Sequence, residues 1–211
     1  MKRITTAIAI LFATIGFAQA AGDAGAGQAK AGMCMGCHGP DGNSFVPMFP
    51  SLAGQNEAYL VKQMSDIKSG ARVVNEMTGI LMAMTDADMA DVAAFYSSQT
   101  AKAGQGADAT LAELGQQLYM GGNKETGIAA CAACHSPTGA GNASAGFPSV
   151  KGQHAVYVSN QLKKFRVGAR HEGAATADAR INDGDAAMMR DIAFKLKDFE
   201  IDALAAYITG M

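Results

Sequence analysis

The sequence predicts an all-α protein built as two tandem copies of one small helical domain. Three observations point that way. Residues of one face recur at helical spacing, as in Tyr59, Leu60, Gln63, Met64 and Ile67, all but Gln63 largely apolar. No stretch alternates convincingly between apolar and polar residues as a half-buried strand does. The second half also repeats the first, residue type for residue type.

The repeat is explicit. Cys34, Cys37, His38 and Pro40 recur 97 positions later as Cys131, Cys134, His135 and Pro137. Phe49-Pro50-Ser51-Leu52-Ala53-Gly54-Gln55 recurs as Phe147-Pro148-Ser149-Val150-Lys151-Gly152-Gln153. Tyr59, Gln63 and Gly70-Ala71-Arg72 match Tyr157, Gln161 and Gly168-Ala169-Arg170 at an offset of 98. Met77, Asp86 and Phe95 match Met189, Asp198 and Tyr207 at an offset of 112, so the second copy carries 14 extra residues. That insertion, His171 to about Asp185, is rich in Ala, Gly and Asp and reads as a surface loop.

In chain order, residues 1–20 read as a cleavable export signal. Lys2 and Arg3 give the positive start, Ile4 to Phe17 the apolar stretch, and Ala18-Gln19-Ala20 the small-x-small cleavage site. The mature chain is expected to begin near Ala21 in the periplasm, and no later segment is long and apolar enough to span a bilayer. Residues 21–98 form the first domain, 99–110 a polar linker and 111–211 the second domain.

Each domain opens with a helix, Ala24–Cys37 or Leu111–Cys134, the latter interrupted at Gly121-Gly122. A Gly/Pro/Asn-rich loop follows, then a middle helix, Glu57–Ser69 or Ala155–Val167. A methionine-containing loop leads to the last helix, Asp86–Ser98 or Asp198–Ile208; Thr85 ahead of Asp86 and Asp88 reads as an N-cap.

All four cysteines lie in two copies of Cys-x-x-Cys-His, at Cys34–His38 and Cys131–His135. That pentapeptide is the attachment signature of c-type haem. On a helix its thiols and imidazole share one face, so three reactive groups meet one side of a flat macrocycle. Zinc sites would not need a histidine directly after each second cysteine, and disulfides would leave both histidines unexplained. Two covalent haem c groups are therefore expected, held by Cys34, Cys37, Cys131 and Cys134, with His38 and His135 as the first axial ligands. Covalent attachment also needs an exported, reduced apoprotein, in agreement with the leader.

The second axial position calls for a thioether or another imidazole. Only His154 and His171 remain among the histidines; the counterpart of His154 is Asn56, and His171 sits in the unmatched insertion. Met77 and Met189 occupy the same repeat position and are the expected ligands, whereas the neighbouring Met188 is matched by Glu76. Met82 and Met84 are expected to pack against the ring or the core. The Pro50 and Pro148 carbonyls, 12 and 13 residues after their histidines, are candidates to accept the second imidazole N–H. Tyr59, Tyr157, Arg72 and Arg170 are candidates for haem propionates, a carboxylate suiting the arginine fork.

Residues 21–100 carry four basic and eight acidic side chains, and residues 101–211 eleven of each. Neither half is basic enough for nucleic acid, but the asymmetry could orient the protein toward a redox partner.

With these residues in hand, the chain resembles the dihaem cytochrome c4 family. Both copies of Cys-x-x-Cys-His, of Phe-Pro-Ser-x-x-Gly-Gln and of Gly-Ala-Arg, with the methionine and the last helix, carry the likeness across the mature chain. The resemblance implies two class I cytochrome c folds related by pseudo-two-fold symmetry, with haems facing each other near the interface and His/Met ligation at both. It implies an electron carrier between a bc1-type complex and a terminal oxidase, loose membrane association, and no small-molecule substrate. One departure is Ser136-Pro137-Thr138-Gly139, where the first copy has Gly-Pro-Asp-Gly-Asn. The other readings are the cytochrome subunit of a sulfide-oxidising flavocytochrome and a dihaem peroxidase; the latter needs a displaceable ligand beside acid–base groups.

Overall fold

The computed structural model describes residues 22–104 and 108–211. The leader at 1–20 and residues 105–107 of the linker lie outside them. In the first half, α1 (Ala24–Lys30) is capped by Asp23, whose carboxylate accepts from the Gly25 and Ala26 amides. A 3₁₀ turn, Ala31–Met33, leads to the single turn α2 (Met35–His38). Next, α3 (Glu57–Ser69) starts at the Asn56 cap and stops at Gly70, whose φ of 82° is the left-handed conformation that glycine adopts without strain. Then come α4 (Asn75–Met82) and α5 (Asp86–Ser97), the latter opened by a reciprocal Thr85–Asp88 capping box.

The second half repeats the order with α6 (Ala109–Gly121), α7 (Ala132–His135), α8 (Ala155–Gly168), α9 (Met188–Lys195) and α10 (Asp198–Thr209). Among the described residues the only β pairing is two isolated bridges, Asn123–Ile128 and Asn142–Phe147.

The first and last helices of each half cross at a glycine. A Cβ on Gly27 would lie 1.9 Å from the Asp91 carbonyl oxygen, and one on Gly115 2.0 Å from that of Ala203. Only a residue without a side chain lets the backbones approach so closely. Around these crossings sit two separate cores. One includes Leu60, Met64, Ile67, Leu81, Met84, Met89, Val92 and Tyr96; the other includes Leu118, Tyr119, Ile128, Val158, Leu196, Ile201 and Leu204.

Four expectations need correction. The methionine-containing segments are helices, α4 and α9, rather than loops. The continuous opening helices break: Ala24–Cys37 splits at its 3₁₀ turn, and the second copy ends α6 at Gly121, forms the Asn123–Ile128 bridge and restarts only at α7. The insertion is not simply a surface loop either, because it buries Arg180. Met84 is in the core as expected, but Met82 is exposed.

The halves meet through reciprocal hydrogen bonds. Gln55 Nε2 donates to the Ser149 carbonyl (2.8 Å) while Ser149 N–H donates back to Gln55 Oε1 (2.9 Å). Gln153 does the same to Ser51, at 2.9 Å both ways. Residue i of one half bonding j of the other, with their equivalents reversed, is the signature of a two-fold axis.

Candidate functional site

Each Cys-x-x-Cys-His segment is a single helical turn delivered to the edge of a core. In both, the histidine N–H closes the turn on the carbonyl of the first cysteine, Cys34 or Cys131, at 2.9 and 2.8 Å. The thiols at i and i+3 and the imidazole at i+4 are thereby gathered on one side. All four thiols are free and half-buried. Burial pushes the Cys34 thiol above its ordinary range and Cys131 up to about 11.

Both imidazoles are buried. His38 Nδ1 lies 2.8 Å from the Pro50 carbonyl oxygen, and His135 Nδ1 2.9 Å from that of Pro148. Desolvation lowers both imidazole pKa values, partly opposed by those carbonyls, so the rings are held neutral. A carbonyl can only accept; Nδ1 therefore carries the proton and Nε2 keeps its lone pair free for a metal. Edge-on phenylalanines flank each ring, Phe49 at 6.5 Å from His38 and Phe147 at 6.4 Å from His135.

A single cavity of about 620 Å³ runs through both sites. Its wall includes all four cysteines, both histidines, Pro50, Pro148, Met77 and Met189. Met189 is half-buried and Met188, also in the wall, is exposed. The lining is mostly apolar, with Leu60, Ile67, Leu81, Val158 and Leu204 among it. The Tyr96 hydroxyl is buried in this wall without a partner, and desolvation raises its pKa. Tyr119, also in the wall, donates to the Ser136 carbonyl at 2.8 Å. Paired thiols, a neutral imidazole with a free Nε2 and an apolar cavity reached from two sides suit a macrocycle in each half.

The polar residues expected around the haem carboxylates gather differently from the repeat. Arg72 donates to Gln63 Oε1 (2.8 Å), and across the interface to the Tyr157 hydroxyl (3.0 Å) and Gln161 Oε1 (3.2 Å). The mirror arrangement belongs to Arg180, which donates to Gln161 Oε1 (2.9 Å), the Tyr59 hydroxyl (3.1 Å) and Gln63 Oε1 (3.0 Å). Arg170 lies outside the cavity wall, exposed, with its guanidinium 5.0 Å over the Phe194 ring.

Backbone bonds explain the exchange. Arg72 N–H donates to the Asp66 carbonyl (2.9 Å), and Arg180 N–H donates to the Lys164 carbonyl (3.0 Å), Asp66 and Lys164 being repeat equivalents. Arg180 is thus the structural counterpart of Arg72. Sequence reasoning missed it because the preceding Gly-Ala-Arg match is contiguous, while the true equivalence is made by a loop that returns to α8.

His154 also takes part in the interface, its Nε2 lying 2.9 Å from the Ser44 carbonyl oxygen. Asn56, its equivalent, caps α3 instead. His171 bonds the Ala174 carbonyl within its own loop.

Comparison with known proteins agrees with this duplicated architecture. The Cytochrome c family matches residues 23–100 and again 112–211. Cytochrome c4 of Pseudomonas aeruginosa is 48% identical over 211 residues, covering 100% of both chains. Cytochrome c4 of Azotobacter vinelandii is 47% identical over 220 aligned positions, again covering 100% of both. The crystal structure of reduced recombinant cytochrome c4 from Pseudomonas stutzeri superposes with a TM-score of 0.83 at 48% identity, covering 90% of this chain and 100% of that one.

Proposed function

The chain belongs to the cytochrome c4 family, and from that premise we propose that it carries electrons in the periplasm from a bc1-type complex toward a terminal oxidase. At the coarser level it is a dihaem electron-transfer cytochrome with two covalently attached haem c groups. We infer further that residues 1–20 are removed on export and that 99–110 link domains 21–98 and 111–211.

The observation that carries the reading is the duplicated imidazole arrangement, a buried neutral ring with Nδ1 on a proline carbonyl and Nε2 free. When bound, each haem supplies a one-electron ferric/ferrous couple whose potential a thioether ligand raises. Cys34 and Cys37, with Cys131 and Cys134, tether the two groups, so neither is lost on reduction or oxidation. His38 and His135 would each give the iron a ligand, with the Pro50 and Pro148 carbonyls holding the rings in orientation and increasing their basicity. Met77 and Met189, both in the cavity wall, would each give the second. With two protein ligands each, the bound groups would supply electron transfer alone, with no place left for a substrate at the iron. The apolar lining excludes water and limits reorganisation when the charge changes.

A pyridine haemochrome assay combined with a redox titration and carbon monoxide exposure tests this. Two haems per chain, two one-electron waves and no carbon monoxide adduct are expected. One haem, or a ferrous centre that takes up carbon monoxide readily, would overturn the closed-carrier reading.

A further inference from the structure

The cavity wall holds two arginines that have no acidic partner of their own, although Glu76 and Asp183 also line it. Arg180 is 7% exposed and Arg72 is half-buried, yet the side-chain acceptors of both are neutral: glutamine and asparagine oxygens and tyrosine hydroxyls. Neither arginine forms an ion pair among the described residues. Two acids close by are already engaged. Asp66 pairs with Lys62 and accepts from Asn182 Nδ2 at 2.6 Å, and Asp183 pairs with Arg190 at 2.6 Å. Arg180 also lies 4.4 Å over the Phe165 ring, a further sign of a desolvated cation.

Removing a guanidinium from water without a counter-charge is unfavourable. Placing two such groups on the same pair of acceptors, Gln63 and Gln161, adds mutual repulsion. A fold keeps such an arrangement where an anion completes it. The carboxylates of two bound haems would supply that anion, since both arginines and all four of their tyrosine and glutamine partners line the cavity.

We propose that Arg72 and Arg180 are a shared pair of positioning residues that compensate the carboxylates of both haems, so that each haem's potential is set partly from the opposite domain. The proposal rests on reading the cavity as a dihaem site. Each guanidinium is anchored by the other domain's tyrosine and glutamine, so the pair belongs to neither half alone. A positive charge beside a haem favours the ferrous state, which carries one positive charge fewer than the ferric. It also keeps the haem carboxylates ionised. Loss of one arginine therefore lowers both potentials and lets a carboxylate take up a proton at a higher pH, after which the potential rises as pH falls.

The test uses the full-length holoprotein with Arg180→Gln, Arg72→Gln, Arg180→Lys and Arg170→Gln, titrated spectroelectrochemically from about pH 5 to about pH 9. Arg180→Gln should lower the reduction equilibrium constant of both haems by about tenfold, 59 mV for a one-electron couple, with a new pH dependence. Arg180→Lys should recover most of the shift, because it keeps the charge. Arg170→Gln, outside the cavity, should leave both waves in place. Should Arg180→Gln not load haem, Arg72→Gln is read in the same way. A shift confined to one haem, no shift at either, or an equal shift in Arg170→Gln overturns the proposal. A haem count of two in the native protein under any of those results leaves the dihaem reading standing; a count below two removes that reading itself.

Discussion

His154 of the second half lies with its Nε2 2.9 Å from the carbonyl oxygen of Ser44 in the first. Ser44 in turn donates its hydroxyl to the Cys37 carbonyl at 2.8 Å. A side chain of one domain thus rests on the loop that steadies the other domain's haem-attachment turn. His154→Ala should cost about 1 kcal/mol in chemical denaturation, the usual net value of one such bond. Its effect on haem methyl NMR signals should concentrate on the first haem. Movement of the second haem's signals alone would contradict this relationship.

The methionine assignment predicts a one-residue contrast. Met189→Ala should remove half of the near-infrared charge-transfer band of the ferric protein, and Met188→Ala should leave it whole. Met77→His and Met189→His should each keep two haems but lower one potential, because imidazole stabilises ferric iron better than a thioether does. Loss of the band in Met188→Ala would shift the ligand by one position.

The turn after each attachment segment predicts an asymmetry between equivalent residues. Gly39 (φ 80°) and Ser136 (φ 66°) share a left-handed backbone. A Cβ on Gly39 would lie 2.4 Å from the Asn43 carbonyl oxygen. Gly39→Ser should therefore lose about 2 kcal/mol or more, combining backbone strain with a clash. Ser136→Gly should stay within about 1 kcal/mol of the native stability, the relief of strain offsetting the lost bond from Ala140 N–H to its hydroxyl. Equal losses in the two variants, by thermal denaturation, would refute the asymmetry.

Acid should loosen the start of the linker. Lys102 at 2.8 Å, together with the Asn43 amide, lowers the Asp41 pKa to about 2. A carboxylate whose folded pKa is depressed stabilises the fold above its unfolded value, and that contribution fades as pH falls through the folded one. Its small, salt-screened benefit should be present above about pH 4 and disappear by about pH 2. The Tm difference between the native protein and Asp41→Asn should shrink over that window. A difference that grows toward low pH would reverse the assigned sign.

The legible parts of this molecule are those written locally. The Cys-x-x-Cys-His turns need only five residues. Helices α3 and α8 begin and end within a residue of expectation, and at α3 Asn56 and Gly70 mark the two boundaries. Short helices without such marks were not legible. Neither α4 nor α9 has a side-chain N-cap, and each is eight residues long, so their helical state comes from packing beside the cavity. Arg180 was hidden for a different reason. Its equivalence to Arg72 is made by one amide bond to the Lys164 carbonyl, across a loop whose composition carries no trace of that contact.

The reciprocal bonds of Gln55 with Ser149 and Gln153 with Ser51 also speak of ancestry. A self-complementary patch of this kind is what two identical chains make when they pair about a two-fold axis. A forebear with one haem per chain that already associated as a homodimer would need only a tether to become this molecule, with no new interface to invent. His154 opposite Asn56, Ser136 opposite Gly39 and Arg180 in place of Arg170 make the two ends of this symmetric pair distinguishable.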